Sequence, residues 1–194
     1  MITAYFGVVL LTMLLIVLLS IVYYTIRCGI SPMPSSAKAV RILSGLIAEI
    51  SPPSHIIETG SGFGGLAIAL ARTFPGVRIT AYELSPVPFI FSKILIRLLG
   101  IGNLHVFRAD YLREDLSAAD IIVCYLYPGG MARLMEKLKN ELSRNAVVLS
   151  NTFAMPGWNP EKVIDTGDIY RTKVYVYRMA EVSNNTLCPD AATG

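Results

Sequence analysis

The chain has 194 residues, 53% of them hydrophobic, with 17 basic and 14 acidic side chains and a formal charge of +3. That length fits one domain with an appendage, and the charge is too mild to argue for a nucleic-acid partner. The three cysteines, Cys28, Cys124 and Cys188, are widely spaced and show no CxxC or Cys/His pattern, so neither a disulfide framework nor a metal site is expected.

Residues 1–26, MITAYFGVVLLTMLLIVLLSIVYYTI, contain no charged side chain, and the stretch from Tyr5 to Tyr24, about 20 residues, is long enough to cross a bilayer. Aromatic pairs near its ends, Tyr5-Phe6 and Tyr23-Tyr24, suit the two interfaces. The basic start, short apolar core and small-residue cleavage site of a signal peptide are missing. A helix of a globular core seldom stays apolar on every face for so long. Residues 1–27 are therefore expected to be a retained single-pass membrane anchor. Arg27, Lys38 and Arg41 follow the span and no Lys or Arg precedes it, which predicts that the remainder is cytoplasmic.

CGISPMPSS, residues 28–36, reads as a linker rich in turn residues. Ser35 or Ser36 then caps a helix in which Val40, Leu43, Ile47 and Ile50 recur at helical spacing until Ser51-Pro52-Pro53 ends the run. HIIETG predicts a strand, FGGLAIALARTF a helix closed by Pro75-Gly76, and RITAYE a second strand. Ser85-Pro86 opens a helix that stops at Gly100, and LHVFRAD gives a third strand. The continuously apolar DIIVCYLY, residues 120–127, suits a central parallel strand. MARLMEKLKNELSRN follows as a crossover helix with Met131, Leu134, Met135, Leu138 and Leu142 on one face, and AVVLSNT as a fifth strand. EKVIDTG and IYRTKVYVYRM suit an antiparallel pair at the sheet's end, and residues 181–194 a loose tail. The alternation predicts an α/β domain over 37–180, Rossmann-like and doubly wound, with a mostly parallel sheet and an antiparallel C-terminal strand pair. Ligands in such sheets bind at the carboxyl ends of the strands, near the switch in strand order.

The first of those ends is ETGSGFGG, which holds two overlapping patterns. Gly60-x-Gly62-x-x-Gly65 is a dinucleotide fingerprint, whereas Glu58-x-Gly60-x-Gly62-x-Gly64 is the S-adenosylmethionine turn of methyltransferases. In the second reading Glu58 supplies an acceptor for the ammonium of the cofactor's amino-acid part. Glu83 ends the second strand 23 positions after Gly60, near the spacing of a ribose-binding acid. Asp110 ends the third and either accepts from an adenine amino group or is an ordinary acid before a loop. A two-ring cofactor needs a second mononucleotide half, which the residues after Asp120 do not supply, and no His or Lys is placed for hydride chemistry. Tyr125 and Tyr127, in YLYPGG, offer aromatic faces around a reacting amine, or else ordinary packing. Trp158, in NTFAMPGWNP, either walls an acceptor site or plugs a small core. His55 and His105 lie in expected strands without partners and read as structural.

Taken together, ETGSGFGG, AYELSP, YLYP, FAMPGWNP and the PMPSS lead-in to the first helix resemble the seven-stranded lysine methyltransferases, in the group that contains the ATP synthase c-subunit lysine N-methyltransferase. The likeness spans roughly residues 1 to 178 and departs from the family at Phe63 and Glu58, where Asp is usual. It implies S-adenosylmethionine as cofactor, held by Glu58, Gly60, Gly62, Gly64, Glu83 and Asp110. It also implies a lysine of a membrane-associated protein as acceptor, in a channel of Tyr125, Tyr127 and Trp158. A small-molecule or lipid acceptor, and a nucleotide-binding module without catalysis, remain open from the residues. Glu83→Ala is expected to abolish most cofactor affinity while leaving the domain folded.

Overall fold

The computed structural model describes residues 2–29, 33–50, 53–169 and 171–180. The expected tail at 181–194 lies outside the described residues, as do residues 30–32 of the expected linker. Seven strands form one sheet: β1 (His55–Thr59), β2 (Arg78–Tyr82), β3 (Leu104–Phe107), β4 (Ile121–Cys124), β5 (Val147–Asn151), β6 (Lys162–Asp165) and β7 (Lys173–Arg178). Their order is β3-β2-β1-β4-β5-β7-β6. The first five run parallel, while β7 is antiparallel to both β5 and β6. The antiparallel pair expected from the sequence thus closes the sheet, with exposed β6 at its edge carrying Lys162 and Asp165, charges that discourage further strand pairing.

Five helices accompany the strands: α1 (Ile2–Cys28), α2 (Ala37–Glu49), α3 (Gly65–Thr73), α4 (Pro86–Leu98) and α5 (Pro128–Glu141). Right-handed crossovers put helices on both faces of the sheet. One core combines α2 and α3 with Ile56, Ile79, Ile121 and Val123, and takes in Ile96 of α4. The other combines α5 with Ile57, Ile122, Cys124 and Val148. Successive strand residues point to opposite faces, which explains why β1 and β4 are apolar almost throughout. Of the two candidate caps for α2, Ser36 takes the role, accepting from the Ala39 N–H at 3.1 Å. His55, expected without a partner, meets the Thr80 hydroxyl at 2.9 Å and the Ala118 carbonyl at 3.3 Å, while His105 lies exposed on β3.

Helix α1 differs from the others. The stretch Tyr5–Cys28 has a mean hydropathy of 2.8 and is long and apolar enough to cross a membrane, and every side chain from Tyr5 to Leu19 is exposed. Its last turns come down on the domain, where α1 packs beside α4 and the Tyr24 hydroxyl accepts from Arg108 at 3.3 Å.

Candidate functional site

The chain builds outward from β1 through β2 to β3 and then restarts at β4 on the other side of β1. The carboxyl ends of β1 and β4 therefore diverge into a crevice. A cavity of about 620 Å³ occupies it, a size suited to a small-molecule ligand.

The floor is the glycine turn. Gly60, Gly62 and Gly64 have φ of 79°, 54° and 79°, a left-handed conformation that only glycine adopts without strain. A Cβ on Gly60 would lie 2.9 Å from Leu126 Cδ2, so the turn also needs the missing side chain for space. Glu83 holds this turn in shape. One of its oxygens accepts from the Gly62 N–H and the other from the Ser85 N–H, each at 2.7 Å. The acid therefore links the end of β2 to the turn after β1 and to the start of α4.

Glu58 lies beside it, 5% exposed, with Oε2 lacking a partner among the described residues. Burial first, and the neighbouring Glu83 charge second, push the Glu58 carboxyl up to about 8, although the Ala67 N–H pulls the other way. A buried acceptor without a donor costs free energy unless a ligand supplies one. The hydroxyl of Ser61 is buried in the same condition.

Asp110 lines the far wall, where it caps a single 3-10 turn (Tyr111–Arg113) by accepting from the Leu112 N–H at 3.1 Å. Tyr125 and Tyr127 line the wall after β4. Tyr125 stacks against Phe153 with ring centroids 6.3 Å apart. Tyr127 precedes Pro128, the first residue of α5, so the YLYPGG turn flows directly into the helix, three residues earlier than the periodicity from Met131 suggests. Proline at a first helical position needs no N–H partner, which permits the early start. The Tyr127 ring passes so close to Gly29, Gly129 and Gly130 that a Cβ on them would fall 2.6, 2.7 and 3.2 Å from it.

Seven of the expected site residues thus meet in one cavity: Glu58, Gly60, Gly62, Glu83, Asp110, Tyr125 and Tyr127. Gly64 stands behind the turn, where its Cα faces α4 and a Cβ would meet Ser92 Cβ at 2.9 Å. Trp158 is not among the lining residues. It is 6% exposed and packs edge-on against Tyr177 at 5.9 Å, within the core on the α5 side of the sheet. The connection from β5 to β6 contains no helix, and Trp158 fills the space a helix would cover; of its two readings, the core plug is the one the packing favours.

Other lining residues escaped the sequence reading. Arg133 donates to the Tyr127 hydroxyl at 2.7 Å and lies over its ring. Arg27, Cys28, Met33, Pro34 and Ser35 bring the end of α1 and its linker to the cavity wall. PMPSS carries part of the family likeness, but no local pattern marks these residues as cavity lining, because chain segments remote from the glycine turn deliver them. Among the described residues no cluster of three metal-ligating side chains occurs.

Comparison with known proteins decides the family. The ANTKMT methyltransferase domain family model matches residues 58–162, more than half of the chain. The chain belongs to that family. It is 27% identical over 152 residues to a protein-lysine N-methyltransferase of Saccharolobus islandicus, an alignment covering 77% of this chain and 93% of the relative. Identity is 29% over 154 residues to the mouse adenine nucleotide translocase lysine N-methyltransferase, covering 73% of this chain and 61% of that protein. It is also 29% over 113 residues to the human ATP synthase c-subunit lysine N-methyltransferase, covering 58% and 48%. The chain thus spans only about half to three fifths of the mammalian relatives' length. An RNA methyltransferase from Salinibacter ruber in complex with S-adenosyl-L-homocysteine superposes with a TM-score of 0.70 at 23% identity, over 84% of this chain and 100% of that one, a likeness of fold.

The ANTKMT-type chain is accordingly a methyltransferase whose cofactor is S-adenosylmethionine, and the residues present fit that molecule. Glu58 Oε2 is an unmatched acceptor of the kind an ammonium requires, and Ser61 Oγ is an unmatched hydroxyl able to donate to a carboxylate. The side-chain-free turn at Gly60 and Gly62 lets a ligand approach the backbone.

Proposed function

We propose that this chain is a membrane-anchored protein-lysine N-methyltransferase. Residues 1–27 form the anchor, 28–36 the linker and 37–180 the catalytic domain, and the acceptor is a lysine amine of a membrane-associated protein. The observation that carries this reading is that Arg27 and Cys28, at the end of the apolar helix, line the same cavity as Glu58 and Glu83. A lysine that reaches such a site is one presented close to the surface where α1 leaves the bilayer. The relatives' names support the class of acceptor, since two of them refer to adenine nucleotide translocase and to the ATP synthase c-subunit.

Bound in the cavity, S-adenosylmethionine supplies a methyl group activated by a sulfonium. The work of the chain is binding, orientation and removal of one proton. Glu58 would accept from the ammonium end, Glu83 from the ribose hydroxyls and Asp110 from the adenine amino group. Tyr125 and Tyr127 wall the approach of the lysine. An ammonium cannot attack, because its nitrogen has no lone pair; the amine must first give its proton to water. Desolvation between aromatic rings lowers an ammonium pKa, and the guanidinium of Arg133 beside Tyr127 adds a like charge that acts in the same direction. Once neutral, the nitrogen needs only in-line placement, which can contribute several orders of magnitude in rate.

The test is to incubate membranes and the purified full chain with isotopically labelled S-adenosylmethionine. The expected result is label recovered as methyl-lysine in protein. Label confined to the lipid extract would transfer the site to a lipid acceptor and defeat the lysine reading.

A further inference from the structure

Helix α4 carries a feature that the core does not explain and the cavity explains only at Phe91. Its buried face is Pro88, Ser92 and Ile96, turned toward the sheet. On the opposite face Ile90, Phe91, Ile94 and Leu98 are 54%, 52%, 55% and 77% exposed. At 100° per residue these four form one stripe about 12 Å long. Phe91 extends the stripe to Phe63, 5.4 Å away between ring centroids, and both rings line the cavity mouth. A soluble surface rarely presents so many contiguous large apolar groups without a partner.

Two observations say what covers this stripe. First, α4 packs against the end of α1, and Tyr24, at the interfacial end of the apolar span, hydrogen-bonds Arg108 just after β3. That bond brings the domain's α4 edge to the level of the aromatic pair Tyr23-Tyr24, where a spanning helix meets the headgroups. Second, the chain segments that carry the two apolar surfaces bear charged residues of one sign. From Leu84 to Ala109 the chain carries Lys93, Arg97 and Arg108 and no acid, and from residue 1 to 48 it carries Arg27, Lys38 and Arg41 and no acid. An apolar stripe flanked by basic residues is the pattern of a helix lying in an anionic membrane interface.

We propose that the exposed face of α4 is a second membrane contact, seated in the headgroup region of an anionic bilayer beside α1. It holds the mouth of the cavity, at Phe63 and Phe91, against the lipid surface. This inference rests on α1 being a membrane anchor.

The full chain is reconstituted into vesicles of phosphatidylcholine and phosphatidylglycerol with a trace of phospholipid carrying a diazirine in its acyl chain, then irradiated, and the adducts are mapped by mass spectrometry. Adducts are expected on α1 and on residues 90–98. The double variant Ile90→Glu, Ile94→Glu changes two exposed side chains that do not line the cavity, so it is expected to fold and to bind S-adenosylmethionine as the parent does. It should lose the α4 adducts and keep those on α1. Adducts on α1 alone in the parent would overturn the α4 contact and leave the anchored reading standing; adducts on neither would overturn both. Unchanged α4 labelling in the double variant would overturn the role of the stripe. So would an unlabelled α4 whose Lys93 is joined to a second copy by an amine crosslinker.

Discussion

Glu58 and Glu83 are neighbouring buried carboxyls with different tasks. Glu58 binds its proton more tightly in the folded chain than an ordinary carboxylate does, so the folded state is favoured by this group at low pH. The contribution is lost as pH rises from about 4.5 through about 8. The ligand-free chain should therefore lose melting temperature across that window, and Glu58→Gln, which cannot ionise, should flatten the loss. The same variant should weaken S-adenosylmethionine by about 10- to 100-fold, the worth of a charge-assisted hydrogen bond; an isothermal titration reads it. Glu83→Ala should also remove most affinity. The domain is still expected to fold, but less stably, because the Gly62 and Ser85 N–H groups lose their acceptor. We expect about 1–3 kcal/mol of destabilisation from that loss, read by denaturant unfolding. Trp158→Phe should leave methyl transfer unchanged, whereas Trp158→Ala should cost about 3–5 kcal/mol as a core cavity does. A large loss of transfer in a stably folded Trp158→Phe would return Trp158 to the acceptor path. The acids were legible in the chain because each sits at a fixed offset from a strand end. Arg133 was not, because its importance comes from the ring it touches.

Among the elements, the turn between β1 and α3 and the helix α4 depend on each other. Gly64 caps α3 in the left-handed region, and its Cα lies against Ser92 of α4. Gly64→Ala should combine backbone strain with a clash, for about 1–3 kcal/mol or more, and lower the melting temperature by several degrees. An unchanged melting temperature would mean that α4 can move away from the turn. Strand and helix order was readable because the period of apolar residues alternates between two and 3.6 along the chain. The early start of α5 was missed because YLYPGG lacks apolar periodicity, although Pro128 at the first helical position is a local signal for it.

At the scale of the whole molecule, the proposed anchor makes a topological prediction. In sealed vesicles, protease should digest the catalytic domain only when the face bearing Arg27 is outward, and alkaline washing should leave the chain in the membrane pellet. Release by alkaline carbonate would refute the spanning helix. The apolar helix, the acid-flanked glycine turn and the parallel sheet could all be read from short-range patterns, because burial, backbone sign and strand period act over a few residues. The place of Trp158 in the core, the position of Arg27 and Arg133 on the cavity wall and the stripe on α4 could not. Each depends on segments far apart in the chain meeting across the sheet, and only long-range packing decides which side chains face a cavity, a core or open solvent.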